Sequence, residues 1–122
     1  MTKTISFILP RPTPSNNVLK NQHYFAYKKM REDFVDLVRE VVPTPKTPIT
    51  RCEIFITRYG STLMDWDNLY GGFKPLLDAL IINLIIADDN PAVVTRLEAA
   101  QVKCKRSETQ TRVVIHDNST ST

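Results

Sequence analysis

Residues 49–84 read ITRCEIFITRYGSTLMDWDNLYGGFKPLLDALIINL, and within them the hydrophobic period changes from two to about 3.6. From Ile49 to Tyr59, Cys52, Ile54 and Ile56 alternate with Glu53, Phe55 and Thr57, which predicts a strand with one buried face. Further on, Leu69, Phe73, Leu76, Leu77 and Leu80 fall on one helical stripe. Pro75 suits a first helical turn, where its missing N–H costs nothing, so the spacing predicts a helix over Phe73–Leu84. Gly71-Gly72 makes a poor helix interior and predicts a break just before it.

Working outward, Thr4–Leu9 is rich in β-branched and aromatic residues and stops at Pro10, which predicts a first strand. The following PRPTPSNN, residues 10–17, has three prolines and two asparagines and predicts an ordered loop. Tyr27, Met30, Phe34, Leu37, Val38 and Val41 recur at helical spacing, predicting a helix over His23–Val42 that ends before Pro43, Pro45 and Pro48. Ala92–Arg106 and Thr109–His116 read as two last strands joined by a hairpin turn at Arg106-Ser107-Glu108. The tail DNSTST, from Asp117, is expected to fray. The order β-α-β-α-β-β predicts one α/β (α+β) domain over residues 1–122. Its small mixed sheet has about four strands, with two main helices on one face.

The 122 residues suffice for one modest core, and 42% hydrophobic content is ordinary for a globular domain. Cys52 and Cys104 belong to no CxxC pair, so zinc-finger and dithiol redox chemistry have no support, and both are expected to be buried free thiols. Met1–Leu9 is too short and too polar for a leader, and the apolar run Leu80–Ala87 is broken by Asn83 and too short to span a bilayer. The expectation is a cytoplasmic protein without a membrane partner.

The net charge is +3, yet Leu63–Asn90 holds five acids and one base. A negative centre on a basic body is the charge pattern of a metal-dependent enzyme acting on phosphate. Asp65 and Asp67, two apart on an extended segment, would point to one side, where a hard divalent cation could sit between them. The alternative is that Asp65, Asp67 and Asn68 cap a helix, and that Asp88-Asp89-Asn90-Pro91 is turn chemistry. The catalytic reading needs the second loop to bring a third carboxylate back to the first pair. Lys74 would then meet developing charge on a phosphate, with Asp78, four residues on, holding it. Lys103, Lys105 and Arg106, with Lys28 and Lys29, are candidates for a DNA phosphate backbone, and Lys103 and Lys105 would share one strand face. No Ser-His-Asp or Cys-His arrangement and no phosphate-cradling glycine motif is present.

Four motifs in order carry a resemblance. They are Leu9-Pro10-x-Pro12-x-Pro14-Ser15-Asn16-Asn17, Asp65-x-Asp67-Asn68-Leu69, Lys74-Pro75-x-x-Asp78-Ala79-Leu80 and Asp88-Asp89. Together they span most of the chain and resemble the RusA family of Holliday junction resolvases. The resemblance implies a small homodimer that cuts four-way DNA junctions with Mg2+ or Mn2+. By position it implies metal ligands Asp65, Asp67 and Asp89, with Asp88 as the neighbouring fallback, and Lys74 as the catalytic lysine. The family lysine follows the second aspartate by four residues. Here Lys74 follows Asp67 by seven, with Tyr70-Gly71-Gly72-Phe73 in the gap. Three functions stay open: a junction-selective nuclease, a less selective nuclease for branched DNA, and a DNA-binding protein whose acids are caps and turns.

Overall fold

A computed structural model describes residues 3–119. The strands are β1 (Lys3–Leu9), β2 (Cys52–Gly60), β3 (Val94–Lys103) and β4 (Gln110–Asp117), and the helices are α1 (Asn16–Lys20), α2 (Tyr24–Val41), α3 (Trp66–Gly71) and α4 (Lys74–Ile82). This is a mixed α/β fold on a four-stranded sheet of order β1-β4-β2-β3, in which β2 and β3 are parallel and β4 is antiparallel to both β1 and β2.

Alternation on β2 does what its pattern predicts. Cys52, Ile54 and Ile56 are buried, and they share one core with Phe7 and Leu9 of β1 and Val113 and Ile115 of β4. Phe34, Val35 and Val38 of α2 and Leu76, Ala79 and Leu80 of α4 close that core from one side of the sheet. The opposite face carries Phe55, Tyr59, Arg96, Arg112 and His116, with Arg96 lying over the Phe55 ring and Arg112 over Tyr59.

The predicted hairpin between the last two strands is not formed. β3 pairs only with β2, the Cys104 N–H closes on the Gly60 carbonyl at 2.9 Å, and a 3-10 turn over Arg106–Glu108 leads the chain past the end of β2 to β4. The residue types explain the placement. β4 offers Val113, Val114 and Ile115 to a doubly paired central position, while β3 carries Arg96 and Glu98, which suit an exposed edge.

The helical stripe holds, but in two pieces. α3 ends at Gly71, and α4 begins at Lys74 with Pro75 in its first turn. α4 stops at Ile82 because Leu84 takes a left-handed conformation (φ 60°), which lets the Ile85 N–H bond the Leu80 carbonyl. The loop expected over residues 10–17 gives way at Asn16 to a turn of helix, α1, capped by the Ser15 hydroxyl, which accepts the Val18 N–H. At the other terminus the Asn118 N–H bonds the Arg51 carbonyl and the Ser119 hydroxyl accepts the Thr50 and Arg51 N–H groups, so pairing continues into the segment expected to fray. Residues 120–122 of that segment lie outside the described residues.

Cys52 is fully buried, whereas Cys104, just past the end of β3, is only partly buried, contrary to expectation. Burial, with Asp117 as a lesser cause, pushes the Cys52 thiol up to about 11. The folded state therefore keeps a proton that the unfolded chain loses at lower pH. The resulting stability is complete below the ordinary thiol range and is lost as pH rises towards 11. The urea midpoint is expected to fall over that window in the native chain and less so in Cys52→Ala. Iodoacetamide at about pH 8 should label Cys104 first and Cys52 only on unfolding, as mass spectrometry would read. Among the described residues, no helix is long and apolar enough to cross a membrane.

Candidate active site at the carboxyl ends of the parallel strands

The parallel pairing of β2 and β3 brings their carboxyl ends together at Gly60 and Lys103. In open α/β sheets such ends are where ligands bind, because the connecting loops diverge there. Three segments meet at this end: the loop of residues 10–17, the stretch 61–65 after β2, and the turn after β3.

Arg58 ties two of them together. It continues the buried phase of β2, is only 8% exposed, and donates from Nε to the Thr13 carbonyl at 2.7 Å and from Nη1 to the Thr62 carbonyl at 3.3 Å. Burial lowers its guanidinium from the ordinary value, and these carbonyl dipoles supply its hydrogen bonds. Thr111 adds a hydroxyl bond to the Arg11 carbonyl. Gln101 of β3 clamps the backbone of Met64 from both sides, accepting its N–H at 2.9 Å and donating to its carbonyl at 2.7 Å.

Beyond this clamp, Asp65 caps α3, its Oδ1 accepting the Asn68 N–H at 3.1 Å. Asp67 is exposed in the first turn of α3. The two carboxylates are thus a cap residue and a helical residue rather than neighbours on one extended face. The cap is Asp65, because its backbone is the extended one (ψ 163°). Asn68 is used in another way: its Oδ1 accepts the Asn17 N–H at 3.0 Å and docks α1 onto α3.

Gly71 and Gly72 make that docking close. A Cβ on Gly72 would lie 1.7 Å from the Pro14 carbonyl oxygen, and one on Gly71 would meet the Asn16 side chain at 2.5 Å. The two glycines in the gap before Lys74 are where residues 14–17 rest on the helix backbone.

Lys74 is turned down α4. Its Nζ lies 3.3 Å from Asp78 Oδ1, and Asp78 Oδ2 accepts the Tyr27 hydroxyl of α2 at 2.7 Å. Burial first, and that bond second, raise the Tyr27 phenol far above its ordinary value. Lys74 follows Asp67 by seven residues, across the break between α3 and α4.

Asp88 and Asp89 lie at the other end of the sheet. The Ala87 N–H bonds the Ile49 carbonyl and the Val93 carbonyl accepts the Cys52 N–H, so their loop flanks the start of β2. Gln101, which marks the level of the Met64–Asp65 segment, pairs with Arg58, six residues beyond Val94's partner Cys52 on β2, a rise of about 20 Å. The helices return the chain to the amino end of β3, not to the first carboxylate pair. The Asp88-Asp89-Asn90 loop is internally bonded. Asp88 accepts the Asp89 N–H at 2.7 Å and the Asn90 amide at 3.0 Å, and Asn90 Oδ1 accepts the Ala92 and Val93 N–H groups. Among the described residues no group of three or more His, Cys, Asp or Glu is arranged to hold a metal ion.

Lys103, Lys105 and Arg106 are all exposed at the Asp65–Asp67 end. β3 ends at Lys103 and Lys105 precedes the 3-10 turn, so the two lysines do not share a strand face as expected. Lys28 and Lys29 lie near the start of α2 beside Tyr27, with Lys29 bonded to Asp33 at 2.7 Å. Arg58, Gln101 and the glycine contacts escaped the sequence reading. Only Arg58 left a local signal, as a charged residue in the buried phase of an alternating strand. Compared with known families and curated proteins, the chain matches no family model and no curated protein.

Proposed function

We propose that the protein is a Mg2+-dependent endodeoxyribonuclease acting on branched DNA, with the four-way junction as its substrate and a RusA-like architecture. The observation that carries this reading is the gathering of Asp65 and Asp67 with the exposed cations Lys103, Lys105 and Arg106 at one end of the sheet. An acidic pair on a DNA-binding surface repels phosphate unless a cation bridges them, which is the work of a metal-dependent nuclease. Exposed carboxylates suit Mg2+ or Mn2+, and Mg2+ is commonly held by one or two carboxylates while substrate phosphate and water complete its shell. Asp65 and Asp67 would supply the two carboxylates of that mode, one from the cap of α3 and one from its first turn. Asp89, with Asp88 beside it, does not join them within one chain and would reach such a centre only from the partner of a homodimer.

A bound Mg2+ supplies a water of lowered pKa and offsets charge on the phosphate. The chain does the rest. Asp65, whose Oδ1 already holds the helix start, and Asp67 in the first turn are the residues that would hold the ion. Lys103, Lys105 and Arg106, with Lys28 and Lys29 on α2, hold the phosphate backbone. Lys74 reaches a phosphate by leaving Asp78, and an exposed ion pair of this kind is weak enough to be exchanged. The test is cleavage of a labelled four-way junction beside a linear duplex of the same sequence, with Mg2+ and with EDTA. Paired symmetric nicks on the junction alone, lost with EDTA, are expected. Equal cutting of any branched DNA would favour the less selective nuclease. Metal-independent binding without cutting would leave the acids as cap and turn residues.

A further inference from the structure

We propose that Trp66 is the residue that recognises unpaired bases, stacking its indole on a nucleobase exposed at a branch point or in a single strand. Trp66 stands between Asp65 and Asp67 and is 60% exposed, an unusual placement for the largest apolar side chain in the sequence. It is not a loose surface residue. Its ring lies 6.4 Å from Tyr70, one helical turn on, and Tyr70 lies 5.7 Å, edge to face, from the fully buried Phe73. Tyr70 is itself fixed to the edge of β3, its hydroxyl accepting the Ala99 N–H at 3.0 Å and donating to the Leu97 carbonyl at 3.4 Å. A chain of three aromatic contacts thus runs from the core to the surface and ends at the exposed Trp66 side chain.

The occupant follows from the surroundings. Exposed Leu63 precedes the Met64 backbone that Gln101 clamps, and Lys103 is two residues beyond Gln101 on the same strand. Lys105 and Arg106 follow, both exposed. An aromatic platform beside cations is the combination that holds a single-stranded nucleic acid, the base on the ring and the phosphates on the charges. A paired duplex keeps its bases stacked within the helix and offers only its phosphates. Trp66 therefore gives the surface a preference for DNA with unpaired bases, and the inference rests on the DNA reading above but not on catalysis.

Trp66 is the only tryptophan in the chain, so intrinsic fluorescence reports on it directly. The Asp67→Asn chain in EDTA, where hydrolysis cannot intrude, would be titrated at low salt with oligothymidylate, a four-way junction and a matched linear duplex. Oligothymidylate is expected to quench the indole, the junction to quench it through the unstacked base pairs at its centre, and the duplex to bind without quenching it. Trp66→Ala is expected to weaken oligothymidylate binding about 5- to 150-fold with duplex affinity unchanged, and Trp66→Phe to keep most of the affinity. Equal quenching by duplex, or an equal loss for every DNA in Trp66→Ala, would overturn the proposal. So would an indole protected by raised protein concentration and untouched by DNA, which would assign the surface to a second copy of the chain. A native chain that binds in this way and cuts nothing in Mg2+ would remove the nuclease reading and leave this one standing.

Discussion

Asp67→Asn is expected to bind a four-way junction about as well as the native chain and to cut it at least ~10³-fold more slowly in Mg2+, a loss of several kcal/mol of transition-state stabilisation. The substitution keeps side-chain volume, and the residue is exposed, so the fold should not suffer. It removes one of the two carboxylates of the Asp65–Asp67 pair at the start of α3. Asp65→Asn should also lose cleavage while keeping α3, because Asn caps a helix as well as Asp does. The distant position of Asp89 makes the sharper experiment a mixture. Asp89→Asn alone is expected to be inactive, and mixing it with Asp67→Asn is expected to restore cutting. In a mixed dimer one site would then combine Asp65 and Asp67 of one chain with Asp89 of the other. Full activity of Asp89→Asn alone would reduce the centre to the Asp65–Asp67 pair, and native-rate cutting by Asp67→Asn would end the metal reading. The signal is gel quantification of nicked junction under single-turnover conditions.

Gly72→Ala is expected to destabilise the protein by about 2 kcal/mol, from overpacking of roughly 1–3 kcal/mol set against the better helix propensity of alanine. The glycine is not needed for its dihedrals, since φ is −73°, within reach of any residue. It is needed because the Pro14 carbonyl oxygen occupies the space where a Cβ would stand. That neighbour is backbone, further held by the Arg58 bond to the Thr13 carbonyl, and cannot swing aside. Gly71→Ala is the internal control, since its nearest neighbour is the Asn16 side chain, which can rotate away. Urea unfolding should show a clearly larger loss at position 72 than at position 71. Equal and small losses would mean that the loop of residues 10–17 is free to move off the helix.

Elements whose evidence lies within a few neighbouring residues were legible. β2 shows in the alternation of Cys52, Ile54 and Ile56, α2 in the spacing of Phe34, Leu37, Val38 and Val41, and the break before Lys74 in Gly71-Gly72. The reason for that break was not legible, because it belongs to a contact with Pro14, more than fifty residues away in the chain. Arg58 lies within the strand predicted over Ile49–Tyr59, and the period that buries Ile56 also buries Arg58. The period says where a side chain points and not which carbonyls await it.

What the sequence by itself determined is therefore the type and polarity of each element and the chemistry it carries: carboxylates before and within α3, cations after β3, an indole between two aspartates. These follow from local sterics and from the two periodicities by which side chains line one face. Only the tertiary structure decided which of these groups meet. β4 enters between β1 and β2, β3 runs parallel to β2, and from that register it follows that Asp65, Asp67 and Lys103 share one end of the sheet while Asp88 and Asp89 occupy the other. Strand order and register are fixed by long-range pairing and by the burial of whole faces, a sum over residues far apart in the chain, and no short stretch of sequence contains it.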